Sequence, residues 1–161
     1  MFNQILPPRI DNAYRGHKLA LWVFALVVAV RIAQSLAVIF GGYSIVRSAD
    51  GIPLETFTPA GAQTVVALWA LWALSRLFVL LLCVLALLRY RSAISFMFVL
   101  LALNYLAAQL LVQFVPLVRT GTPPGPVVNL ILFVLMILGL ALSLRKRGDG
   151  DASRAVPTGA A

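Results

Sequence analysis

Four long apolar runs are the feature that most limits how this sequence can fold. They cover 19–40, 62–88, 93–117 and 127–144. Each is close to or above the roughly 20 residues that an α-helix needs to cross a hydrocarbon core about 30 Å thick. A β-barrel fits poorly, because barrel strands are about ten residues long and alternate in polarity, whereas 79–88 is apolar throughout. The sequence therefore predicts an all-α polytopic membrane protein with four transmembrane helices.

The first apolar run has a second interpretation, as the core of a cleaved signal peptide, because Arg9, Arg15 and Lys18 precede it. A signal core usually has only about 7 to 15 residues, and this run is longer and contains Arg31. We therefore expect a retained helix. Only 11% of the chain is charged and 61% is hydrophobic, which excludes an ordinary soluble domain.

The basic residues predict the topology of an antiparallel four-helix bundle. Nine of the 13 fall on one side, in the N-terminus, the 89–91 turn and the C-terminal tail: Arg9, Arg15, Lys18, Arg89, Arg91, Arg145, Lys146, Arg147 and Arg154. Arg47 and Arg119 lie on the other side. The positive-inside rule then places both termini in the cytoplasm. The charge of +8 indicates topology and attraction to anionic lipid rather than nucleic-acid binding.

We expect one transmembrane domain over 1–147, followed by a disordered cytoplasmic tail over 148–161, which is rich in Gly, Ala, Ser and Pro. The excess of arginine over lysine favours a bacterial protein of the inner membrane. The outer loops contain Thr58-Pro59 and Thr122-Pro123, each suited to cap a following helix. This repetition has two possible origins. The chain contains two duplicated helical hairpins, or the same turn residues arose independently in both loops.

The sequence lacks the residue combinations that several kinds of functional site require. The single histidine, His17, and the single cysteine, Cys83, form no cluster, and the apolar runs contain no Asp or Glu. Zinc sites, haem ligation and acid/base pairs require such combinations inside one chain. We therefore expect no metal, no cofactor and no catalytic residue, with Cys83 as an apolar packing residue and His17 as an interfacial polar group.

Two arginines inside the spans predict a site. Arg31 and Arg76 each lie twelve residues from the cytoplasmic end of their run, about 18 Å deep, and Asn104 lies at nearly the same level. An arginine at that depth costs roughly 2.5 to 3.5 kcal/mol on insertion scales, so it should point into the bundle. The candidate ligand-binding residues are Arg31, Arg76, Gln34, Asn104, Tyr105, Gln109 and Gln113.

Spacing places further residues near this level. Gln34 follows Arg31 on one helical face, and Tyr105, Gln109 and Gln113 recur every four residues along the third helix. Ser75 and Asn129 add donors and acceptors. Trp69 and Trp72 share a face with Arg76, which indicates either cation–π contact or two anchors at the outer interface.

A guanidinium stays protonated at physiological pH and therefore requires compensation at this depth. Three sources of the compensating negative charge remain open: an anionic ligand or lipid headgroup, an acidic residue on a partner subunit, or Asp50 and Glu55 of the outer loop acting as counter-ions.

Two classes of function follow. The first is a non-enzymatic membrane component, either an accessory subunit or a binder of an anionic lipid or small molecule, with lipids and a protein partner or second copy as its partners. The second is a redox or lipid-modifying enzyme that holds an acidic substrate or quinone and uses Tyr105 as a proton donor. The scarcity of titratable groups favours the first.

Overall fold

A computed structural model describes residue 14 and residues 16–145, and its regular structure there is entirely helical. The helices are α1 (Lys18–Ser48), α2 (Pro59–Arg89), α3 (Ile94–Phe114) and α4 (Pro124–Leu144), with 3-10 turns at Leu54–Thr56 and Arg91–Ala93. Four helical segments, the third extending through the Arg91–Ala93 turn, are long and apolar enough to cross a membrane. The predicted all-helical fold with four such helices is confirmed. The predicted tail, 148–161, lies outside the described residues.

Polar groups at the N-termini of α1 and α2 define where these helices begin. The His17 Nδ1 atom accepts a hydrogen bond from the Leu19 N–H at 3.2 Å. The Thr58 Oγ1 atom accepts from the Gly61 N–H at 3.2 Å, with Pro59 in the first turn, as predicted. These side chains satisfy N–H groups that have no partner within the helix.

The corresponding prediction for Thr122 and Pro123 is wrong, because α4 begins at Pro124 and its N-cap is Pro123, without a side-chain cap. The Gly125 N–H instead donates to the Ala49 carbonyl of the first outer loop at 2.9 Å. A tertiary hydrogen bond therefore replaces the threonine cap.

Helix α1 continues beyond the predicted span, which ended at residue 40. Its backbone bends at Gly42, where φ is +39° and ψ is −115°. Residues with a Cβ rarely adopt this conformation, so glycine permits the bend. The remainder of the helix leads into the loop over 49–58.

The closed apolar core lies in one half of the bundle. We call it the inner core, and its buried members are Ala20, Phe24, Val27, Val28, Leu80, Cys83, Ile94, Phe98, Leu101, Leu132 and Met136. The Phe24 and Phe98 rings pack edge to face with centroids 4.9 Å apart. Gly139 of α4 faces the Phe98 ring, where an added Cβ would approach Cε1 to 2.6 Å. All four helices contribute to this half.

The other half has a smaller buried cluster, the outer cluster, formed by Val46, Ile52, Leu54 and Ala62. It joins α1, the outer loop and α2, with no buried member from α3 or α4. Helix α1 packs mainly against α2 and α4, and α4 packs against α3, whereas α2 and α3 contact each other little. The bundle is therefore closed around the inner core and open along α3 at its other end.

Backbone hydrogen bonds connect distant segments at both ends. The Thr120 N–H donates to the Gly51 carbonyl at 2.8 Å, near the Gly125–Ala49 bond. At the opposite end, the His17 N–H donates to the Leu142 carbonyl at 3.4 Å. The outer loops therefore lie together, and the start of α1 lies beside the end of α4.

Candidate functional site

One polar residue from each helix lies next to the inner core. We call these four the polar layer: Arg31, Arg76, Tyr105 and Asn129. Along each helix the residue adjoins the buried apolar positions of the inner core, on the side toward the outer cluster. Arg31 lies thirteen residues from the start of α1 and Arg76 thirteen from the end of α2, a helical length of about 20 Å in each case. Both arginines therefore lie near the middle of their helices.

Arg31 is half-buried and has one neutral partner. Its Nη1 atom donates a hydrogen bond to the Asn129 Oδ1 atom at 2.8 Å. Ser35 is fully buried one turn further along α1 and donates back to the Arg31 carbonyl at 3.0 Å. Asn129 thus accepts from the guanidinium without neutralising its charge.

Arg76 is also half-buried and lies within electrostatic range of Arg31. Its guanidinium carbon is 4.3 Å from the ring centroid of Trp72, which is the cation–π alternative of the two that the spacing left open. The Arg76 Nε atom is buried and has no hydrogen-bond partner. An unpaired charged donor in a low-dielectric region raises the free energy of the folded protein. A hydrogen-bond acceptor for the Arg76 Nε atom would therefore be stabilising.

A chain of aromatic contacts runs from Arg76 to the outer loop. Trp72 packs edge to face against Trp69 with centroids 6.1 Å apart. The Trp69 Nε1 atom donates to the Asp50 Oδ2 atom at 2.9 Å. Burial raises the pKa of Asp50, while this hydrogen bond and the charges of Arg119 and Arg76 lower it in part. Asp50 therefore influences Arg76 through space without forming an ion pair.

The two candidate counter-ions have different positions. Glu55 is exposed and pairs with Arg47, with the Arg47 Nε atom 3.5 Å from its Oε2 atom. Across the described residues, neither Arg31 nor Arg76 has a carboxylate within ion-pair distance. Of the two carboxylates only Asp50 is half-buried, and it bonds to Trp69 rather than to an arginine of the polar layer.

The remaining candidate residues fall into two groups. Tyr105 stacks on Phe133 with centroids 4.7 Å apart and lies within electrostatic range of Arg31, and the Gln34 Oε1 atom is buried without a partner. Asn104, Gln109 and Gln113 are exposed. Gln109 and Gln113 follow Tyr105 on the open part of α3, while Asn104 points away from this face.

A separate surface cavity of about 460 Å³ lies where the outer loop meets α1 and α2. Its lining combines aromatic, apolar and polar side chains: Tyr43, Leu54, Glu55, Phe57, Pro59, Ala62, Gln63 and Val66. Neither arginine of the polar layer contributes to it. The cavity is thus distinct from the arginine site.

No family model, curated protein or solved structure matches this chain. The chemistry of the site must therefore be argued from its own residues. Two cations with only neutral contacts, one of them with an unpaired buried donor, are chemically suited to an anionic partner.

Proposed function

We propose that this protein is a non-enzymatic, multi-pass membrane protein that binds an anionic amphiphile or small anion in its polar layer. The observation that supports it most directly is that the buried Arg76 Nε atom has no acceptor, while the Arg31 guanidinium has only the neutral Asn129 oxygen. Like charges at mid-depth repel each other and lose hydration, and one bound anion would offset both costs.

The open part of α3 supports an entry route for this ligand. Because α3 contributes no buried residue to the outer cluster, the layer is less covered on that side. Gln109 and Gln113 lie along this face, and Trp72, which is 51% exposed, covers the Arg76 guanidinium. Arg31 and Arg76 suit the acidic group of an amphiphile, and the exposed apolar side chains of α3, such as Leu110, suit its acyl chain.

We also propose an antiparallel bundle with both termini in the cytoplasm of a bacterial inner membrane. The distribution of basic residues supports this orientation, and the hydrogen bonds between the outer loops support the hairpin arrangement. The ligand would then reach the layer from the extracytoplasmic half of the bilayer.

The test compares retained lipid in the wild type, Arg31→Gln, Arg76→Gln and the double variant. Each protein is reconstituted with phosphatidylglycerol, oleate or phosphatidylcholine, and native mass spectrometry then counts the bound molecules. Inorganic phosphate, measured by calorimetry, distinguishes a free anion from an amphiphile. Charge-assisted hydrogen bonds are worth roughly 1.5 to 3 kcal/mol, so each substitution should weaken binding of the anionic probe about ten- to hundredfold.

Arg47→Gln is the matched control, because it removes a cation that pairs with Glu55 outside the layer. Circular dichroism and unfolding temperature check that each variant folds. Equal retention of phosphatidylglycerol and oleate by the wild type and a folded double variant, together with no phosphate binding, would overturn the proposal.

A second proposal is a redox or lipid-modifying enzyme in which Tyr105 supplies a proton. The position of Tyr105 near Arg31, stacked on Phe133, favours it as the donor. Membranes extracted under mild conditions would then yield a stoichiometric quinone or a modified lipid with the wild type but not with Tyr105→Phe. Wild-type and variant preparations with the same small-molecule content would contradict the enzymatic proposal.

A further inference from the structure

The outer face of α3 carries an amide where lipid contact is expected. Asn104 lies ten residues from either end of α3 and is exposed. It makes no hydrogen bond within the described part of the chain. An amide at the centre of a membrane helix has no water to bond to, so it requires a partner from outside this chain.

The surroundings of Asn104 have the pattern of a helix-pairing seam. We call it the Asn104 stripe: Leu100, Asn104, Ala107, Leu111 and Phe114. All five are exposed, Leu111 at 62% and Phe114 at 77%, and their spacing alternates between four and three residues. This spacing is that of the a and d positions of a coiled coil, with Asn104 at an a position.

We propose that the Asn104 stripe is the contact surface between two copies of this chain, in which the two Asn104 side chains hydrogen-bond to each other. A carboxamide carries one acceptor oxygen and an NH₂ donor, so it is electrostatically complementary to a second copy of itself. A two-fold axis brings the same residue of both copies together. The small Ala107 side chain, one turn away, permits close approach of the backbones.

This surface is independent of the proposed anion site. The inward face of α3 carries Phe98, Ala102 and Tyr105, whereas the Asn104 stripe lies on its opposite side. A dimer formed through the stripe would leave the approach to Arg31 and Arg76 open. Asn104 therefore acts in assembly rather than in the site assigned to it from sequence.

The first experiment measures the monomer–dimer equilibrium of the purified full chain in a neutral detergent by analytical ultracentrifugation. We expect the wild type and Asn104→Gln to dimerise, and Asn104→Leu to raise the dissociation constant about tenfold or more. Leucine is compatible with an exposed apolar face, so the fold should survive, as circular dichroism would verify. A monomeric wild type, or equal constants for the wild type and Asn104→Leu, would overturn the proposal.

The second experiment uses disulfide cross-linking in proteoliposomes, in a Cys83→Ala background. Ala107→Cys should form a disulfide-linked dimer on mild oxidation. Leu106→Cys is the matched control, because it is also exposed but lies about 100° away around the helix. Efficient cross-linking of both variants, or of Leu106→Cys alone, would overturn the assigned face. A wild type that dimerises but binds no phosphatidylglycerol, oleate or phosphate would contradict the proposed function and leave the dimer proposal standing.

Discussion

The Trp69 indole N–H donates a hydrogen bond to the Asp50 carboxylate at 2.9 Å, which connects α2 to the outer loop. Trp69 packs against Trp72, and the Trp72 ring contacts the Arg76 guanidinium. The charge of Arg76 lowers the pKa of Asp50 through space, without an ion pair between them. Three of the residues in this chain of contacts come from α2, and only Asp50 comes from the loop.

We expect Asp50 to titrate above the ordinary carboxyl pKa of about 3.9, because burial raises its pKa. The folded protein then keeps this proton at pH values where the unfolded chain has lost it. The stability that Asp50 contributes therefore falls as pH rises from the ordinary pKa through the raised one. Fluorescence of the wild type minus that of Trp69→Phe should report this titration. If Asp50→Asn shows the same fluorescence titration as the wild type, the titrating group is not Asp50.

Asn129→Leu should destabilise the protein by about 1 to 3 kcal/mol, because the Arg31 Nη1 atom loses its acceptor in a partly buried position. Asn129→Asp should instead retain or raise the unfolding temperature, since a carboxylate would pair with Arg31, and should weaken anion binding. Thermal unfolding in detergent measures the first effect, and native mass spectrometry measures the second. Equal unfolding temperatures for wild type and Asn129→Leu would show that the hydrogen bond is not stabilising.

Gly139→Ala should cost about 1 to 3 kcal/mol through overpacking. The added Cβ would come within 2.6 Å of Phe98 Cε1 and 3.1 Å of Val23 Cγ1, so the aromatic pair with Phe24 must shift. Phe98→Leu in the same chain should restore part of the loss by making room. The two substitutions should therefore be non-additive in a double-mutant cycle of unfolding temperatures, and strict additivity would contradict the packing described here.

Gly42→Ala should cost about 1 to 3 kcal/mol because its backbone has φ +39° and ψ −115°, a region that side chains with a Cβ avoid. Gly121→Ala is the comparison: its φ is +69°, and no atom lies within 4 Å of an added Cβ. We expect a smaller loss there, about 1 kcal/mol, because φ +69° lies in the ordinary left-handed region. Unfolding temperatures measure both. A larger effect at Gly121 would indicate that Gly42 does not carry backbone strain.

The sequence predicted the features that depend on local pattern. Apolar run length predicted four helices, the Thr58-Pro59 pair predicted the start of α2, and helical spacing placed Trp72 and Arg76 on one helical face. These follow from helical periodicity and from the preferences of residues at helix ends. Such signals require no knowledge of how the helices pack.

Relationships between distant segments were harder to predict. Asn129 was recognised only as a general donor and acceptor, although it is the partner of Arg31, 98 residues away. The stacking of Tyr105 on Phe133 and the bond from Trp69 to Asp50 were not foreseen, because they depend on which helices are neighbours. The four-residue spacing placed Tyr105, Gln109 and Gln113 on one face of α3. It could not predict that Tyr105 is half-buried while Gln109 and Gln113 are exposed.

The hydrogen bonds between the outer loops have a consequence for biogenesis. A ribosome delivers Ala49 and Gly51 to the membrane long before Thr120 and Gly125, their partners. These two carbonyl groups must therefore bond to water until the second outer loop has been synthesised. A nascent chain released before α4 would lack both this closure and the Asn129 acceptor of Arg31. Such a fragment would leave the Arg31 guanidinium and the Ala49 carbonyl without their partners from α4.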